Sequence, residues 1–279
     1  MRKKILITGA SGLVGSRLVD LWREEFDLIT PGYEEGFDIT DYKKVRQVFR
    51  DSKIDFVLHL AAYTAVDKAE EERDICYKIN VEGTRNVFKA CQSLGIRMIY
   101  ISTVFVFPGL MSENPYTPES IPNPLGFYAK TKWAGEEIVK DQAMIVRIDY
   151  PYRLDNFERK DIYRLIKNLL EKKVRIKAVE DMFFTPTFID DLARALNFLI
   201  KNFKPRIYHA VGRRSYRPVE FFSLIADKFG FDKDLIEGIS FQEFYKGKAA
   251  RPQYGKIKVS EELAGFMRDF KQVLEEVER

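Results

Sequence analysis

The sequence predicts an α/β protein: a doubly wound parallel sheet with a smaller C-terminal α/β cap. Three observations carry this. Short β-branched runs alternate with helix-periodic segments through the first half. Those runs are apolar throughout rather than alternating, as in a sheet covered on both faces. After about residue 150 the alternation fades, and helices are separated by polar, proline-containing connections.

The elements follow in order. KKILIT (3–8) is the first strand, and GLVGSRLVDLWREE (12–25) is a helix with Leu13, Val14, Leu18, Leu21 and Trp22 at helical spacing. DLIT (27–30) is the second strand. A helix at about 41–51 precedes the strand DFVLHL (55–60), and a long helix spans about 74–94. A strand is predicted over 96–107, then a proline-rich loop (108–124), a helix at 126–142 and the strand AMIVRI (143–148). Beyond it come a helix at about 158–172, the strand VRIKAV, and helices near 188–202, 217–229 and 260–277. The expected division is a dinucleotide-type domain from 1–149 with about 177–203 returning to it. About 150–176 and 204–279 form the cap.

With 279 residues, 46% of them hydrophobic, the chain can bury a large core. No apolar run reaches the roughly 18–20 residues that cross a bilayer. The basic start MRKK is followed by too short an apolar run for a signal peptide, so a cytoplasmic protein is expected. Two cysteines, Cys76 and Cys91, fit a reducing compartment, and no paired Cys/His spacing suggests a metal. Net charge is +4 from 46 basic and 42 acidic residues, a mixed surface rather than a nucleic-acid footprint.

Three motifs carry chemistry. TGASGLVG places Gly9, Gly12 and Gly15 between a strand and a helix, where glycines admit a pyrophosphate to the helix N-terminus. The spacing is GxxGxxG, and a tight strand-to-helix turn would use the same residues. FDIT puts Asp38 where a carboxylate could accept from an adenine amino group. It also lies beside Thr40 and Asp41, good caps for the next helix. YAKTK sets Tyr128 and Lys132 four apart on one helix face; a surface pair would have the same spacing. A phenol near pKa 10 needs an adjacent ammonium, or comparable help, to move protons near neutrality. Ahead of it, YISTVFVFPG puts the Ser102 and Thr103 hydroxyls in an apolar run. Ligands of a parallel sheet bind outside the carboxyl ends of its strands, so all these elements can meet in one crevice.

Together these residues resemble the extended short-chain dehydrogenase/reductase superfamily and, within it, the dTDP-4-dehydrorhamnose reductase family. The narrower resemblance rests on AAYTAVDKAE (61–70), KINVEGTRNV (78–87), IPNPLGFYAKTKWAGEE (121–137), NF (156–157), TPT (185–187) and RP (251–252). It is dense to residue 150 and sparse beyond. It implies a Rossmann-like domain with a substrate-binding cap and an NAD(P)H-dependent reductase of a nucleotide-linked 4-keto-6-deoxysugar. Tyr128 would be the general acid, Lys132 would orient the nicotinamide ribose and tune the tyrosine, and Thr103 would bond the substrate carbonyl. Gly9, Ser11, Gly12, Leu13, Val14 and Gly15 would lie on the pyrophosphate, and Asp38 and Ile39 on the adenine. Leu60, Ala61, Ala62, Tyr63 and Thr64 would follow the cofactor, with Asn80 in support. Thr103, Val104, Tyr150 and Arg251 would face the substrate.

The chain departs from the family on the substrate side. STVFVF stands for S-T-D-Y-V-F, and RIDYPYR (147–153) for R-T-S-W-V-Y-G. GKIKVS lacks the serine and acid expected after RP. The implied cofactor is NADP(H) or NAD(H). No acid sits directly at the end of the second strand, which favours NADP(H); Arg17 could meet a 2′-phosphate, although a plain helix-surface arginine is the stronger expectation. The expected partner is a nucleotide sugar, with no nucleic acid or membrane, and a homodimer is compatible. Two alternatives remain: a reductase of another sugar nucleotide, or a cofactor-binding regulatory subunit resembling the beta subunit of methionine adenosyltransferase. His59, in an apolar strand, reads as a satisfied core residue.

Overall fold

Strand β1 (Lys4–Thr8) is buried from Ile5 onward, because its apolar run has no polar face to turn to water. The computed structural model describes residues 2–159 and 161–278. β1 lies between β2 (Asp27–Ile29) and β3 (Phe56–His59), and β4 (Arg97–Thr103) and β5 (Met144–Ile148) follow. Every pairing in this sheet is parallel. Side-chain alternation divides the core in two. Ile5, Ile7, Ile99 and Ile101 pack with α1 (Leu13–Trp22) and α7 (Ile189–Lys201). Leu6, Met98 and Tyr100 pack with α2 (Tyr42–Ser52), α4 (Thr84–Leu94) and α5 (Phe127–Val139). The chain leaves β1 for β2 on one side and returns to β3 on the other. The crevice opens at that switch point.

The predicted helix at 74–94 is one continuous run containing a π-helical segment. α3 (Arg73–Tyr77) passes through Lys78–Gly83 into α4. Gly83 lets the run lie against the adenine-side loop, since a Cβ there would stand 2.6 Å from Ile39 Cδ1. Asp41 is the N-cap of α2, accepting from the Lys43 and Lys44 amides. That leaves Asp38 free of the capping role.

Beyond β5 the chain forms β6 (Pro151–Tyr152), α6 (Ile162–Glu171), β7 (Ile176–Val179) and β8 (Thr187–Phe188). Position 160, inside the helix expected over 158–172, lies outside the described residues. After α7 come β9 (Ile207–His209), α8 (Pro218–Phe229), β10 (Ile236–Ile239), α9 (Phe241–Phe244) and α10 (Phe270–Glu275). β7 pairs with β10, and β6 with β8, in two small parallel sheets over an aromatic cluster of Tyr152, Tyr163, Phe184, Phe221 and Phe270.

Two expected boundaries move. β7 belongs to a small sheet, so the return to the large sheet comes later than residue 177. β9 is the sixth strand of the large sheet, and Leu263 and Met267 join its core, so 204–279 is not all cap. A three-residue strand outside the regular strand–helix alternation carries too little periodicity to be read from sequence. The single helix expected over 260–277 is also broken. Only a turn at Glu261–Leu263 and α10 are helical, α10 restarting at an Asp269–Gln272 capping box.

Candidate active site

The crevice is a cleft of about 1390 Å³ at the carboxyl ends of β1, β3 and β4. Its floor is the glycine loop. Gly9 has φ +70°, and a Cβ there would meet Ala61 N at 2.7 Å, so the turn after β1 lies directly on the segment after β3. A Cβ on Gly15 would stand 2.4 Å from Gly9 O. Gly12 is the N-cap of α1 and supplies no side-chain bond, so the first-turn amides keep their donors for an anion. Gly9, Ser11, Gly12, Leu13, Val14 and Gly15 all line the cleft, as do Asp38, Ile39, Leu60, Ala61, Ala62 and Thr64. This shape and donor set fit a dinucleotide. Gly15→Ala is expected to weaken NAD(P)H binding at least about tenfold, because the methyl meets backbone that cannot rotate away. Titration of the purified variant measures this, and wild-type affinity would remove the glycine loop from the cofactor site.

Two side chains hold the segment after β3, and Thr8 Oγ1 accepts from the Leu60 and Ala61 amides, both at 3.2 Å. Asn80, in the π-helical stretch, accepts from Tyr63 N (2.7 Å) and donates to Tyr63 O (3.1 Å) and Thr131 Oγ1 (2.9 Å). Thr131 lies between Tyr128 and Lys132 and donates to Tyr128 O at 2.7 Å. Asn80 therefore fixes the cofactor-side loop and the start of α5 against each other. Tyr63 itself lies outside the cleft wall, its hydroxyl donating to Glu72 Oε2 at 2.5 Å. Asn86, which motif reading passed over, donates to Ile39 O and Thr40 O and pins the adenine-side loop. It lies within KINVEGTRNV (78–87), but an asparagine on a helix face gives no sign of what it will meet.

Tyr128 is the second residue of α5, whose Phe127 amide donates to Glu70 Oε1 at 2.7 Å. Tyr128 and Thr103 line the same end of the cleft, and Thr103 Oγ1 accepts from Phe105 N at 3.2 Å. Burial raises the Tyr128 pKa, and the nearby Thr103 hydroxyl partly opposes it. The phenol is therefore a loaded proton donor at neutral pH. Lys132, one turn on, is 4% exposed. Its Nζ donates to Ile101 O at 2.9 Å and lies 4.1 Å from the centre of the Tyr100 ring. Burial lowers its pKa to about 7, against the pull of Glu136. Here the lysine bonds a backbone carbonyl rather than the phenol, and both side chains still line the same cleft.

The substrate end departs from the sequence expectation. β4 stops at Thr103, whose side chain caps a 3₁₀ turn over Val104–Val106. That turn ends the strand alternation. It sends Val104, 3% exposed, into a core with Val106, Phe107 and Tyr116, while Phe105 lines the cleft. Val104 is thus corrected from substrate contact to core. Phe105 stands 6.3 Å from the Tyr128 ring and 5.8 Å from Tyr150, which lines the cleft as expected. Arg251 is corrected too: it lies outside the cleft wall, paired with Asp67 and 4.4 Å from the Tyr245 ring.

Buried titratable groups behind the site give a pH signature. His59 bonds Thr8 (2.7 Å) and Thr84 (3.1 Å), a satisfied core residue. Its pKa falls to about 3, from burial and from the Lys132 charge. His209 also falls to about 3, from burial and from Arg147. Asp149 is pushed by burial up to about 8, against bonds from the Thr185 and Tyr150 amides. Between pH 5 and 6 an unfolded chain binds two histidine protons that the folded one refuses, so these groups stabilise the fold more as pH rises. Asp149 acts oppositely, holding in the folded state a proton that the unfolded state has lost. The net slope of unfolding free energy is expected near 1.4 kcal/mol per pH unit, and Asp149→Asn should roughly double it. Urea unfolding at pH 5.0, 5.5 and 6.0 measures both, and a flat wild-type profile would contradict the assignment.

Comparison with known proteins follows the same lines. Residues 2–279 match the family model described as RmlD substrate binding domain. A crystal structure of dTDP-4-dehydrorhamnose reductase from Bacillus anthracis str. Ames in complex with NADP superposes with a TM-score of 0.89. It is 32% identical, covering 99% of this chain and 98% of that one. The dTDP-4-dehydrorhamnose reductase of Mycobacterium tuberculosis is 30% identical over 91% of this chain and 84% of its own. The dTDP-4-keto-6-deoxy-D-glucose reductase of Streptomyces niveus is 30% identical over 91% and 88%.

Proposed function

The chain belongs to the RmlD substrate binding domain family, and from that membership we propose that it is an NAD(P)H-dependent reductase of a nucleotide-linked 4-keto-6-deoxysugar, a dTDP-4-dehydrorhamnose reductase. The observation that carries the reading is that Thr103, Tyr128 and Lys132 line one cleft at the end of β4, together with a glycine loop shaped for a dinucleotide.

Gly9 and Ser11–Gly15 would hold the pyrophosphate on the free amides of α1, and Asp38 and Ile39 would hold the adenine. Leu60, Ala61, Ala62 and Thr64 would line the cofactor's path. A reduced nicotinamide, when bound, supplies hydride to the carbonyl carbon. Thr103 donates to the carbonyl oxygen and polarises it. Tyr128 gives its proton to the same oxygen, completing the alcohol, and is reprotonated from solvent through the open cleft. Its raised pKa suits this direction, since an acid must hold its proton until the oxygen becomes basic. Lys132, carrying charge near neutrality, holds the ribose and limits the build-up of negative charge at Tyr128. Phe105 and Tyr150 give the substrate end an aromatic wall, which suits a sugar whose C6 is a methyl group.

The test is oxidation of NADPH and NADH in the presence of dTDP-4-keto-6-deoxy-L-lyxo-hexulose, followed by identification of the product sugar. Consumption with formation of the 4-hydroxy sugar supports the reading. Tight cofactor binding with no turnover on any 4-keto-sugar nucleotide would leave only a cofactor-binding regulatory role.

A further inference from the structure

The end of β2 carries no acid in sequence, yet the fold brings one there. After Ile29 the chain runs through Thr30, Pro31 and Gly32 and then doubles back. Gly36 N donates to Tyr33 O (2.9 Å) and Phe37 N to Gly32 O (3.1 Å). Gly36 has φ +77°, a conformation that a side chain would strain. The turn returns Glu35 to the strand end, where its Oε2 accepts from Gly32 N at 3.3 Å. Glu35 lines the cleft with Thr30, Gly32 and Asp38. β2 is the neighbour of β1, so this corner borders the glycine loop, where the adenosine ribose of a dinucleotide rests.

Among the described residues, the bases that might hold a 2′-phosphate are engaged or come from elsewhere. Arg17 gives Nε and Nη2 to Asp190 at 2.7 and 2.6 Å, and its Nη1 lies 3.5 Å from Asp155. Arg153 is 2% exposed and bonds Asp155 and Ser16. Lys132 bonds Ile101 O. The remaining lining bases, Lys78 and Arg159, come from the π-helical segment and from the loop after β6. The charged groups that follow β2 into the cleft wall are two carboxylates.

Building on the reductase reading, we propose that Glu35 makes the protein selective for NADH over NADPH. Its carboxylate accepts the ribose 2′- and 3′-hydroxyls of NADH and repels the doubly charged 2′-phosphate of NADPH.

The experiment is titration of the full-length protein with NADH and with NADPH, without substrate, followed by fluorescence at about 0.1 M salt. Wild type is expected to bind NADH at least about tenfold more tightly. Glu35→Gln removes the repulsion and should bring the two affinities together, and Glu35→Arg should reverse their order. Equal affinities in wild type, tighter NADPH, or an unchanged ratio in Glu35→Gln would overturn the proposal. Turnover of the 4-keto sugar nucleotide is scored separately. If it is absent while the Glu35-dependent preference holds, the substrate reading fails and the Glu35 assignment stands. If neither dinucleotide binds, both fail.

Discussion

Tyr128→Phe is expected to lower turnover about 10²–10⁴-fold, with the Kd for NAD(P)H changed less than about twofold. The variant keeps the ring that packs against Phe105 and loses only the hydroxyl. Burial holds that proton in place at neutral pH, so no deprotonated population is lost with it. The rest of the cleft, from the glycine loop to the segment after β3, is untouched, which is why binding should survive. The informative pair of measurements is single-turnover reduction and cofactor titration on the same preparation. Turnover within about threefold of wild type would mean that another group delivers the proton. Parallel loss of binding and turnover would mean that the phenol holds the cofactor rather than protonating the product.

Lys132→Met should separate function from stability. The lysine is buried, and its pKa of about 7 compares with 10.5 for a solvated lysine. Between those values the unfolded chain holds a proton that the folded chain has released, so stability rises with pH across that window. Below pH 7 the folded state carries the full cost of the buried charge, on the order of 5 kcal/mol. Methionine removes that cost and fits a similar volume, while losing the bond to Ile101 O, worth about 1 kcal/mol. The variant is therefore expected to unfold at higher urea than wild type at pH 6, with the advantage shrinking by pH 9. Turnover should fall about 10²-fold or more, because the ribose and the developing phenolate lose their cation. A variant less stable than wild type at both pH values would show that the lysine's bonds outweigh its desolvation.

The parts of the site that were legible in sequence are those whose geometry is local. Gly9, Gly12 and Gly15 form one turn between one strand and one helix. Tyr128 and Lys132 share a face because a helix repeats every 3.6 residues. β1, β3, β4 and β5 were visible because burial on both faces writes an apolar run, and the partly exposed edge strand β2 was read from its place between two helices. β9, the sixth strand, has three residues and wrote nothing comparable.

What the sequence by itself determined is a parallel α/β frame with a dinucleotide-shaped loop and a Tyr–Lys pair, since each is set by neighbours within a turn or a strand. Tertiary structure decided which residues face the cleft. Val104 and Phe105 are adjacent, and only the 3₁₀ turn capped by Thr103 determined that one is core and the other wall. Arg251 was drawn from the cleft by Asp67, 184 positions away, and Arg17 by Asp190, 173 away. Glu35 reached the end of β2 only because Gly36 reverses the chain. The lysine's lowered pKa comes from burial beneath packed neighbours rather than from its own helix, whose Glu136 pulls the other way. Contacts between distant segments leave no spacing in the chain, so the charge balance and the choice of partners belong to the fold.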